Sequence, residues 1–71
     1  MSVHDRVRSK LQHEAERAEG AALRLTDTVA RLRRQGDDLG ADLLGAIARR
    51  RGQEAAELRD QLEKHDADTR T

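Results

Sequence analysis

The segment Arg33-Arg34-Gln35-Gly36-Asp37-Asp38-Leu39-Gly40-Ala41-Asp42-Leu43 lies at the middle of the 71-residue chain. Its reading decides whether the protein is a folded-back hairpin or one straight rod. Arg33 and Arg34 suit the negative end of a helix. Gly36 suits the left-handed position that follows a helix C-terminus. Asp37 or Asp38 is fit to cap a new helix, with Asp42 near its first turn. The alternative is one unbroken helix carrying these glycines, at roughly 1 kcal/mol each relative to alanine. Such a rod needs a partner along its whole length, so the segment is read as stop, turn and start.

Upstream, the apolar positions are Val3, Val7, Leu11, Ala15, Ala18, Ala22, Leu25, Val29 and Leu32. Their steps of three and four residues confine them to a stripe about 120° wide. No proline interrupts the segment. Ser2 is positioned as an N-cap, with Asp5 near the positive helix end. Downstream, Leu39, Leu43, Leu44, Ile47, Leu58 and Leu62 recur at helical spacing. Beside them runs a small-residue stripe of Ala41, Gly45, Ala48 and Gly52, continued by Ala55 and Ala56. The spacing predicts a first helix at about 3–35, a turn at about 36–38 and a second helix at about 39–65. Residues 1–66 form the hairpin, and 67–71, which lack an apolar anchor, are expected to be a loose C-terminal tail. Folding back near Gly36 sets Val29 opposite Leu43, Leu25 opposite Ile47 and Gly20 opposite Gly52.

The fold class is therefore all-α: an antiparallel two-helix hairpin, expected to dimerise into a four-helix bundle. Composition supplies the reason for dimerising. The chain has no Cys, Phe, Tyr or Trp. With neither disulfides nor aromatic packing, a chain this short has few means of stabilising itself alone. The apolar arc of the second helix is also wider than one seam requires. The expected self-association or partner surface comprises Leu23, Leu39, Leu43, Leu44, Ile47, Ala48, Arg51, Gly52, Ala55, Leu58 and Leu62. Arg51 falls inside that arc. Its stem can cover apolar surface while its head reaches water, or it can pair with Glu19, Glu54 or an acid of another subunit.

Charge is balanced at 14 basic and 14 acidic residues. It is not evenly placed. Residues 31–51 hold six Arg and three Asp, whereas residues 52–71 hold three basic and six acidic side chains. The turn end is thus positive and the open end negative, which favours antiparallel pairing of two hairpins.

Chemistry is sparse. His4, His13 and His65 are read as solvated surface histidines. No Glu-x-x-His di-metal pattern, phosphate loop or organised serine nucleophile occurs. No catalytic, cofactor-binding or metal-binding residue is assigned, and no cofactor is expected. The expected function is a small non-enzymatic, cytoplasmic protein–protein interaction module of regulatory type that self-associates as a homodimer. One alternative is an RNA- or DNA-binding bundle using Arg33, Arg34, Arg49 and Arg50 near the turn, though no aromatic is available to stack on bases. Another is an accessory subunit bound to an unknown protein partner. No membrane partner is expected, because no apolar run approaches the ~20 residues of a span, and the first residues lack the apolar core of a signal peptide. An excess of twelve Arg over two Lys hints at a bacterial source.

Overall fold

A computed structural model describes residues 2–69 of the chain. It consists of α1 (Val3–Arg34) and α2 (Asp38–Thr69), packed antiparallel as a hairpin. The Ser2 hydroxyl accepts a hydrogen bond from the Asp5 backbone N–H at 3.2 Å, so α1 starts on a side-chain cap.

The reversal is built from three residues. Gln35 ends α1 in a helical conformation, and Gly36 follows at φ 82°. The Gly36 N–H then reaches the Arg33 carbonyl at 3.1 Å and the Asp37 N–H reaches the Leu32 carbonyl at 2.9 Å. This crossed pair satisfies carbonyls that the helix end would otherwise leave open. Asp37 also begins the next helix, because its Oδ1 accepts from the Gly40 N–H at 2.9 Å. One residue thus closes α1 and caps α2. Gly40 leaves room for this cap, since a Cβ there would lie 2.5 Å from Asp37 Oδ2 and the carboxylate would have to shift.

The seam is lined with alanine. Ala15 and Ala18 of α1 and Ala41, Ala55 and Leu62 of α2 are buried. Leu11, Ala22, Leu25, Val29 and Leu32 of α1 line it half-buried, as do Leu44, Ala48 and Leu58 of α2. This corrects the facing pairs expected from the sequence. Leu43 and Ile47, assigned opposite Val29 and Leu25, are 61% and 45% exposed. A seam as long as the helix needs an apolar row as long as the helix. Positions 41, 48, 55 and 62 are Ala, Ala, Ala and Leu, uncharged from end to end. The larger row Leu39, Leu43 and Ile47 runs into Arg50, Arg51 and Glu54, so it cannot serve the full length.

Three ion pairs join the helices along one edge of this seam. Arg59 donates to both Glu19 carboxylate oxygens at 2.7 and 3.2 Å. Arg8 pairs with Asp66 and Arg33 with Asp42, each at 3.1 Å. All are solvent-exposed, and such pairs contribute little to stability. Packing of the apolar stripe, rather than these pairs, holds the hairpin.

The molecule measures 53 × 18 × 12 Å, with a radius of gyration of 16.0 Å. A compact domain of this length would have about 11 Å. α2 also continues to Thr69, beyond the end expected near His65. Its last turns lack an apolar anchor but are tied to α1 by Arg8–Asp66 and by His65, whose Nε2 donates to the His4 carbonyl at 3.0 Å. Of the tail expected to be loose, Ala67, Asp68 and Thr69 are helical, and residues 70 and 71 lie outside the described residues.

Candidate interaction surface

Leu39, Leu43 and Ile47 recur every four residues, so they form one ridge on α2. They are 73%, 61% and 45% exposed. Val3 and Val7 near the start of α1 are exposed as well, and Leu23 is 68% exposed on the outer side of α1. The remaining apolar residues expected at a partner surface are engaged within the chain. Ala55 and Leu62 are buried, and Leu44, Ala48 and Leu58 are half-buried against α1.

Arg51 and Gly52 occupy different surroundings from each other. The Arg51 guanidinium pairs with Glu54 one turn on, at 3.1 Å, with about half of each side chain exposed. The pair sits at the surface of α2 and does not cross the seam. A Cβ placed on Gly52 would meet nothing within 4 Å, and one on Gly20 would meet only the Arg24 guanidinium. Gly20 and Gly52, set opposite each other by the sequence, therefore make no close backbone approach. Alanines, not glycines, set the spacing of the helices.

Of the turn-end arginines, Arg33 is held by Asp42. Arg34, Arg49 and Arg50 are exposed. The hydrogen bond to Arg59 holds the Glu19 carboxyl below its ordinary value, and the same bond raises Arg59. Both shifts belong to the interhelical pair and create no reactive group.

At the open end the His4 and His65 rings lie 5.4 Å apart, tilted by 40°. Among the described residues, no group of three or more His, Cys, Asp or Glu is placed to hold a metal ion. None of the described helices is long and apolar enough to cross a membrane.

The edge of the seam opposite the interhelical ion pairs carries a shallow groove of about 680 Å³. Ala18, Gly20 and Ala21 of α1 and Leu58 of α2 contribute to its lining, as do His13, Glu14, Glu16, Arg17, Arg24 and the Arg51–Glu54 pair. Bordering it is a feature the apolar reading of the sequence passed over. Lys10, Arg17, Arg24 and Arg31 each precede an inward-facing residue of α1, namely Leu11, Ala18, Leu25 and Leu32. Glu19 and Arg33, which carry interhelical pairs, each follow one. Residues on either side of a seam position point about 100° to opposite sides. The four cations therefore form a row on the groove side, away from the ion pairs. The signal was present in the sequence as a seven-residue period of basic residues.

No family model, curated protein or solved structure matches the chain.

Proposed function

We propose that this chain is a non-enzymatic, cytoplasmic protein–protein interaction module that self-associates through α2, two hairpins assembling as an antiparallel four-helix bundle. The observation that carries the reading is the exposed ridge Leu39, Leu43 and Ile47. Covering what these side chains now expose would contribute roughly 1–2 kcal/mol apiece, or about 3–6 kcal/mol per copy. Two copies together contribute about 6–12 kcal/mol, which exceeds the lower part of an association cost of about 4–15 kcal/mol and leaves a surplus of at most about 8 kcal/mol. The dimer is accordingly a weak one, of micromolar or lower affinity.

Orientation follows from charge. The turn end carries the arginine excess and the open end the acidic excess. Antiparallel hairpins set each positive end beside a negative one, whereas parallel hairpins would set like beside like.

Light scattering coupled to size exclusion tests the reading, with protein concentration taken from peptide-bond absorbance because no aromatic residue is present. The parent chain is expected to rise from monomer to dimer mass as concentration increases. Leu43→Glu places a charge at the centre of the ridge and should leave a helical monomer at the same concentrations. A parent chain that stays monomeric to millimolar concentration would sink the proposal.

A further inference from the structure

We infer that α1 carries a second docking surface, the row Lys10, Arg17, Arg24 and Arg31, which takes an amphipathic helix of another protein bearing acidic residues seven apart. All four side chains are exposed, and none makes an ion pair among the described residues. By contrast, Arg8, Arg33, Arg51 and Arg59 are each engaged by an acid of this chain.

Spacing identifies the partner. Seven residues of helix advance about 10.5 Å, so the row presents four charges over about 31 Å. Another α-helix lying alongside repeats its own face with the same period. A nucleic-acid duplex carries a charge about every 3.4 Å along each strand and would reward cations at any spacing. The groove beside the row suits a helix as well. Ala18, Gly20 and Ala21 contribute to its lining between Arg17 and Arg24, with Glu14 and Glu16 beside them. Side chains that small let a second backbone approach α1 closely.

A second copy of this chain does not match the row. No two of its 14 acidic residues lie seven apart, so it has no acidic line to set against the four cations. The partner is therefore a different protein. The row belongs to α1 and the leucine ridge to α2, so this inference does not depend on self-association.

The test uses the full chain and a labelled helical peptide of about four heptads, with Leu on one face and Glu at every seventh position beside it. Two controls accompany it: a peptide of the same composition with the Glu spacing scrambled, and a single-stranded RNA. Binding is read by fluorescence anisotropy at low and moderate salt. The heptad peptide should bind at least about tenfold more tightly than the scrambled one, and reversal of all four cations to Glu should remove that preference. Leu43→Glu should leave peptide binding unchanged, while light scattering of the charge-reversed chain reports self-association separately. Equal binding of both peptides, or a preference that survives charge reversal, would overturn the inference. Tighter binding of RNA than of the heptad peptide would overturn it in favour of a polyanion surface.

Discussion

Replacing Gly45 and Gly52 together by Ala should raise the stability of this protein. Both lie inside α2, and a Cβ added to either meets no atom within 4 Å. Alanine gains about 1 kcal/mol over glycine at such a position, since glycine loses more backbone freedom on becoming helical. The double substitution should therefore add about 2 kcal/mol. For a domain of this size each kcal/mol corresponds to about 4–8 °C, so the melting temperature should rise by about 10 °C. Circular dichroism melting at low protein concentration measures it, because the helical signal reports the whole molecule.

Gly40→Ala is the internal control. It makes the same nominal gain in propensity, but its Cβ would crowd the Asp37 carboxylate that caps α2. Losing a cap costs about 0.5–2 kcal/mol, enough to cancel the gain or reverse it. If Gly40→Ala stabilises as much as the other two, the cap is not holding the turn. Should the Gly45/Gly52 double variant melt at or below the parent temperature, another chain occupies that edge in solution. The account of an open edge beside the alanine seam would then be wrong.

Two further outcomes follow from the turn and from the interhelical pair. Gly36→Ala forces a side chain into the left-handed conformation at φ 82°, which should cost about 1–2 kcal/mol and lower the melting temperature by about 5–10 °C; an unchanged melt would show that the reversal is made elsewhere. The Glu19 carboxyl, held below its ordinary 4.5 by Arg59, stabilises the fold above that value and stops doing so as pH falls through its lowered folded value. Glu19→Gln should thus be less stable than the parent near neutral pH, with the gap closing in strong acid. Urea melts across that range would refute the pairing if the gap were constant.

Much of the fold is local in origin and was legible in the sequence. A three-and-four step of apolar residues forces α1, whatever packs against it. Gly36 followed by Asp37 forces the reversal, because only glycine enters the left-handed region cheaply and only a short polar side chain caps what comes next. The end of α2 was less legible. Its last turns are helical through contacts to the start of α1, made by residues some 60 positions away in sequence.

The sequence also supplied every apolar residue that the second helix exposes or buries, but not which of two neighbouring stripes would meet α1. Larger side chains argued for Leu39, Leu43 and Ile47. Tertiary packing chose Ala41, Ala48, Ala55 and Leu62, because a seam between long helices is limited by its least apolar position. A row of small uncharged residues extends farther than a short row of large ones that ends in arginine. That choice left the leucine ridge in solvent. It also set the interhelical ion pairs on one edge of the hairpin and, beside the other, four cations that make no ion pair among the described residues. Helical periodicity alone fixes the angles between these rows; only the docking of one helix on the other decides which of them face water.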